Sequence, residues 1–204
     1  YVSIVEINRE PNNHFDYQLI SDIADVYEDL DKQKECRVIV LCSVGKHFCA
    51  GADFGKDRDM HDKKDPYEEL YKQAVRLFKT KKPVIAAVQG GAIGGGLGLA
   101  LSADFRVGCE ESRFSANFAK LGFHQGFGTS VTLPRVVGVQ HSLDMLLTAR
   151  RVKGIEALEM GLIDKLVNID EVRTQSISMA KEITSSAPLA VESIRETLRH
   201  GLAD

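Results

Sequence analysis

The order of apolar patterns along the chain predicts an α/β fold, and three observations carry that prediction. An alternating run at residues 2–8, VSIVEIN, leads into a helical-period run and then a β-branched run, RVIVLCS, at 37–43. A third β-branched run sits behind Pro83, in KKPVIAAV. Directly after it comes QGGAIGGGLGLALSAD, residues 89–104, with six glycines and no charge before its last residue. Strand, helix, strand, glycine loop and helix, in that order, point to helices layered on a sheet.

In residues 2–8 apolar and polar side chains alternate, as in a strand with one buried face. From 15 to 33, Leu19, Ile20, Ile23, Val26, Tyr27 and Leu30 recur at helical spacing. RVIVLCS is the second strand. KDRDMHDKKD, 56–65, mixes both charge signs without a period and reads as a solvated loop. Asp65 and Pro66 supply a cap and a first-turn proline for a helix through YEELYKQAVRLFK, which stops before Pro83. The uncharged run from Val84 to Ala103 is long enough to test as a membrane span. Its glycines argue against one, since each costs about 1 kcal/mol in a helix interior relative to alanine. Val84, Ile85 and Val88 read instead as a buried strand, the glycines as a turn, and LGLALSAD as the start of a buried helix.

Further on, FRVG and RFSA are short strands, and TSVTLPRVVG and QHSLDMLLTA are helical, with Pro134 interrupting the first. GIEALEMGLI is a short helix and DKLVN a strand; from Asp170 two helices follow, separated at Ala187-Pro188. No repeat, linker or low-complexity tract divides the chain, so residues 1–204 are read as a single domain. Tyr1 is not a natural start, and further N-terminal residues are expected before it.

At 204 residues, 44% apolar and 27% charged, the chain can bury a sizeable core. A net charge of −3 gives no basic footprint for nucleic acid or anionic lipid. Cys36, Cys42, Cys49 and Cys109 show neither paired nor metal-like spacing and read as reduced thiols of a cytoplasmic protein. No signal or transit pattern opens the sequence. No metal site is expected, since His14, His141 and His200 form no ligand cluster.

Two loops leave buried strands and run into helices: HFCAGADF at 47–54 and GGAIGGGLG at 90–98. Small residues allow another molecule to approach the backbone, and unpaired amides at a helix start carry partial positive charge. Two such amides meeting at one point would form an oxyanion hole; the same glycines would also serve to pack a helix tightly on the sheet. No frame of 90–98 fits G-x-G-x-x-G, no phosphate-loop lysine follows, and no G-x-S-x-G elbow supplies a serine nucleophile.

HFCAGADF taken with KPVIAAVQGGAIGGGLGLALSADFRVG, RFSANFAKLGFHQGFGTSVTLPRVVG and ARRVKGIEALEMGLIDKLV resembles the crotonase (enoyl-CoA hydratase/isomerase) superfamily, in order and over nearly the whole chain. The resemblance implies a crotonase-like (ClpP/crotonase) spiral of β-β-α units with C-terminal helices, assembled as a homotrimer or as a hexamer of paired trimers. It implies an acyl-coenzyme A substrate, with coenzyme A part of the thioester and no separate cofactor. The thioester oxygen would accept hydrogen bonds from the amides of Ala52 and Gly95. Cys49, Ala50, Gly51, Ala52, Asp53, Phe54 and Gly55 would line the coenzyme A path. Gly94 and Gly95 would let the helix start meet the thioester with no side chain between them. The shared chemistry would be stabilisation of a thioester enolate or related oxyanion.

Hydration of an enoyl thioester uses two glutamates in this family, and the resemblance matches them to Gly98 and Phe118, neither of which can move a proton. Isomerase, hydrolase or decarboxylase chemistry is therefore expected in place of hydration, with a non-catalytic acyl-coenzyme A binding subunit as the alternative. His124 and Gln125, in LGFHQGFG, are the polar candidates to replace the glutamates; His124 also fits a hydrogen-bonded loop residue near a subunit contact. Gly126 stands where dehalogenase relatives carry a carboxylate nucleophile. A His47–Cys49 couple and a swinging His61 are weaker candidates. Asp53 reads as a helix cap, and Asp144 and Glu156 as structural. The resemblance implies further C-terminal helices covering the acyl pocket; either the protein is short there or those helices lie beyond Asp204.

Overall fold

Six consecutive buried residues form β2 (Val38–Ser43), and β3 (Val84–Val88) is buried along its whole length. A strand covered on both faces must be apolar at nearly every position, which VIVLCS and VIAAV supply. Their side chains alternate between two cores. Ile39, Leu41, Val84, Ala86 and Val88 join the larger one, whereas Val38, Val40, Cys42, Ile85 and Ala87 pack toward Val172 and Ala180 of helix α6 (Val172–Thr184). The computed structural model describes residues 1–52 and 68–200.

The first sheet has the order β1-β2-β3-β5-β8, with β1 at Val2–Ile7, β5 at Phe105–Gly108 and β8 at Lys165–Leu166. Every pairing in it is parallel. A second sheet runs β4 (Gly91–Ile93), β6 (Arg113–Ser115), β7 (Val152–Lys153), parallel in the first pair and antiparallel in the second. The chain thus steps from one sheet to the other, β3 to β4 and β5 to β6. Each pair of steps ends in a helix, α3 (Gly95–Ser102) or α4 (Thr129–Thr148). This is the expected repeat of strand, strand and helix.

Helix α1 (Tyr17–Lys32) begins at Asp16, whose carboxylate accepts from Leu19 N at 2.9 Å, and it buries Leu19, Ile20, Ile23 and Tyr27 as the periodicity requires. Helix α2 (Glu68–Lys79) packs against it. The loop at 56–65, the Asp65-Pro66 cap and His61 lie outside the described residues. Pro188 opens α7 (Pro188–Arg199). That helix is tied to the sheet by Asp104, which accepts from Arg195 Nε at 2.8 Å, Arg199 Nε at 2.7 Å and Val84 N at 2.8 Å.

Two local expectations change, and one strand has no sequence pattern of its own. The glycine run is more than a turn: Gly91–Ile93 pairs with β6, and α3 starts at Gly95, two residues before Leu97. The kink in α4 falls at Gly138 (φ 78°), with Pro134 inside the helix, because only the residue without a side chain takes the left-handed turn readily. Strand β7, two residues long, is too short to show a period. Among the described residues, no helix is long and apolar enough to cross a membrane.

Candidate functional site

The first glycine-containing loop is threaded between two partners. Cys49 N donates to Gly91 O and Cys49 O accepts from Ile93 N, each at 3.0 Å, so this residue extends the edge of β4. On the other side Ala50 N donates to Asn12 O and Phe15 N donates to Gly51 O, again at 3.0 Å. Gly51 makes the switch with a φ of 98°, and a Cβ there would stand 2.9 Å from Ile93 O. The 51–52 peptide is trans. Its carbonyl faces Phe15, so the N–H of Ala52 points the opposite way.

The same reasoning fixes the second amide. Gly94 N donates to Ser115 O at 2.8 Å, while Gly94 O accepts from Leu97 N at 3.1 Å and Gly98 N at 3.3 Å. That carbonyl points into α3, so the N–H of Gly95 points out of the helix start, where unpaired amides concentrate positive charge. Gly94 has a φ of 56°, and a Cβ on Gly95 would stand 2.4 Å from Phe15 Cζ. No side chain fits at either position.

Ala52 and Gly95 line one cavity of about 280 Å³. Ala50, Gly51, Ile93 and Gly94 complete its main-chain wall, and Phe15, Phe118 and Phe127 make it largely aromatic. Phe127 is buried, holds a φ of 54° and meets Phe15 edge to face with ring centres 5.4 Å apart. Gly98, one helical turn into α3, faces it: a Cβ on Gly98 would lie 2.6 Å from Phe127 Cβ. Leu70 and Tyr71 enter from α2, and the Tyr71 hydroxyl fills the space of a side chain at Gly126, 2.1 Å from where a Cβ would be.

Of the residues singled out from the sequence, Ala50, Gly51, Ala52, Gly94, Gly95, Phe118 and His124 line this cavity. Gln125 does not; its Nε2 donates to Ser130 Oγ at 3.3 Å. Asp53, Phe54 and Gly55 lie outside the described residues. Cys49 does not line the cavity: its side chain is fully buried, and burial pushes the thiol up to about 12. His47 makes no couple with it: His47 Nδ1 accepts from Gly91 N at 3.0 Å, and burial, with Lys46 nearby, holds the imidazole below its ordinary value. Asp144 and Glu156 both bind Arg150. Among the described residues, no three histidine, cysteine or acidic side chains group as a metal site.

His124 is exposed, and its Nδ1 lies 3.0 Å from Gln125 O. A carbonyl can only accept, so in this contact Nδ1 is the donor. Sequence reading missed Phe15, Tyr71, Asn117 and Phe127 as cavity residues. Phe15 opens a helical run and Phe127 closes a glycine-rich loop, so neither has a local pattern that marks it for a site. A wider groove, lined by Glu110, Glu111, Asp170 and Glu171, carries four carboxylates and suits an anionic ligand poorly.

A family profile described as enoyl-CoA hydratase/isomerase matches residues 2–204. The short-chain-enoyl-CoA hydratase of Clostridium acetobutylicum is 32% identical over 205 residues, covering 98% of this chain and 78% of that protein. A peroxisomal Δ(3,5)-Δ(2,4)-dienoyl-CoA isomerase of Arabidopsis thaliana is 30% identical, over 94% of this chain and 75% of its own length. Among solved structures, an enoyl-CoA hydratase from Bacillus anthracis superposes with a TM-score of 0.91 at 28% identity, over all of this chain and 80% of its own. A Geobacillus kaustophilus enoyl-CoA hydratase subunit gives 0.90 at 30% identity, over all of this chain and 79% of its own. With the stepped two-sheet architecture and a profile match over nearly every residue, the chain belongs to the enoyl-CoA hydratase/isomerase family, the crotonase superfamily.

Proposed function

We propose that this protein is an acyl-coenzyme A enzyme that polarises the thioester carbonyl with the amides of Ala52 and Gly95. Its chemistry is isomerisation, hydrolysis or decarboxylation in place of two-glutamate hydration. The observation that carries the reading is that Ala52 and Gly95 line one and the same cavity. As an enolate forms, negative charge moves onto the thioester oxygen, where two fixed donors and the start of α3 meet it at no cost in reorganisation. Removing one such donor typically lowers a rate about 100- to 1,000-fold. The trimeric or hexameric assembly belongs to the same proposal, as does the single-domain organisation.

Of the two positions matched to the glutamates, Phe118 lines the cavity and Gly98 is blocked by Phe127, which supports a reaction with a different proton-transfer set. His124, which lines the cavity, is the proposed acid–base group; Gln125, bonded to Ser130, is better suited to holding the loop. The exposure of His124 and the absence of a carboxylate at 98 and 118 also favour a second reading, a non-catalytic subunit that binds acyl-coenzyme A.

Screening acyl-coenzyme A esters by mass spectrometry with wild type, His124→Ala and Gln125→Ala separates the two. Turnover of one ester class that is lost in His124→Ala, while coenzyme A affinity persists, is the expected result. Tight binding without conversion of any class would favour the binding subunit. Crotonyl-coenzyme A hydration at the rate of a true hydratase would overturn the exclusion of hydration.

A further inference from the structure

Asn117 immediately precedes Phe118 and lines the cavity beside Gly94 and Gly95. Its Oδ1 lies 2.8 Å from where a Cβ on Gly94 would stand, so the carboxamide is seated against the turn that opens α3. Among the described residues, the Asn117 side chain has no hydrogen-bond partner. Asn13 shows how this fold treats a carboxamide that it uses for structure. There Oδ1 accepts from Arg9 N, and Nδ2 donates to both Val44 O and His47 O. Asn117 thus presents two donors and an acceptor to a cavity lined mainly by apolar side chains, Phe15, Leu70, Ile93, Phe118 and Phe127 among them, with Tyr71 and His124 as the other polar ones.

A plain hydrocarbon acyl chain seated there would displace water from the carboxamide and leave it unpaired, which weakens binding. An acyl chain with an oxygen close to the thioester would pair it. Sites built to hydrogen-bond a substrate group discriminate strongly against the analogue that lacks it. We propose that Asn117 is a specificity-determining residue that hydrogen-bonds an oxygen substituent on the acyl chain. The site therefore selects oxygen-bearing acyl thioesters over hydrocarbon ones of equal length. This inference rests on the acyl-coenzyme A reading above.

The test is calorimetric titration of the full chain with butyryl-coenzyme A and racemic 3-hydroxybutyryl-coenzyme A, in wild type and Asn117→Leu. Wild type is expected to bind the hydroxy ester about tenfold more tightly, the effect of one paired hydrogen bond. Asn117→Leu is expected to lose that difference while holding butyryl-coenzyme A at least as tightly. Equal wild-type affinity for the two esters overturns the proposal without reference to any variant, as does a preference that survives in Asn117→Leu. Binding of neither ester would overturn the acyl-coenzyme A reading together with this inference, whereas equal binding overturns this inference alone.

Discussion

Phe127 occupies the space that any side chain on Gly98 would need: a Cβ there would stand 2.6 Å from Phe127 Cβ and 2.8 Å from Phe127 O. One of those atoms is main chain, so turning the phenyl ring cannot relieve the contact. Phe127 is itself fixed by burial and by its edge-to-face contact with Phe15. The environment of position 98, and not its residue alone, excludes a carboxylate.

Gly98→Glu is accordingly expected to leave crotonyl-coenzyme A hydration at the wild-type level while destabilising the fold. Gly98→Ala isolates the steric part and should cost about 1–3 kcal/mol by urea denaturation, the usual range for overpacking a core. Hydration appearing in Gly98→Glu, or an unchanged urea midpoint in Gly98→Ala, would contradict this account.

At Gly95 the obstruction is a side chain, Phe15, whose Cζ would lie 2.4 Å from a new Cβ. Gly95→Ala should lower both stability and acyl-coenzyme A turnover, since the amide it carries moves with the helix start. Adding Phe15→Leu removes the obstructing ring atoms, so the double variant should recover part of the stability lost in Gly95→Ala. A double-mutant cycle measures this, with coupling of at least about 0.5 kcal/mol expected for residues in contact.

Asp104 holds α7 to the sheet through Arg195 and Arg199, all three side chains being largely buried. Arg195 Nη1 also donates to Thr80 O. Removing the shared carboxylate leaves two buried guanidinium groups uncompensated, so Asp104→Ala should cost about 3–5 kcal/mol. Hydrogen exchange should show α7 losing protection before the sheet; uniform loss across both would refute the anchoring role.

His47 accepts from Gly91 N through Nδ1, which only the neutral ring can do. Its native pKa is held below the ordinary 6.5. The contribution to stability is thus present in full above pH 6.5 and is lost as pH falls through the lower native value. Urea midpoints measured from pH 8 down to 5 should decline on the acid side, and less steeply in His47→Gln. Identical pH profiles for the two proteins would rule this out.

Local pattern along the chain encodes the α/β class, most element positions, and the two glycine-bearing loops as the place where backbone could meet a ligand. Periodicity records which side of an element is buried, and glycine records where no side chain fits; both are local. Whether those loops share a cavity is a matter of long-range packing. Segment 49–52 is held between residues 12–15 and β4, and only that arrangement brings Ala52 to the cavity that Gly95 also lines. Packing likewise put Phe127 against Gly98, brought Asn117 to the start of α3 and left Gln125 outside the lining. Each of these contacts joins residues far apart along the chain or on different faces of one loop, so no pattern within a short window could encode it.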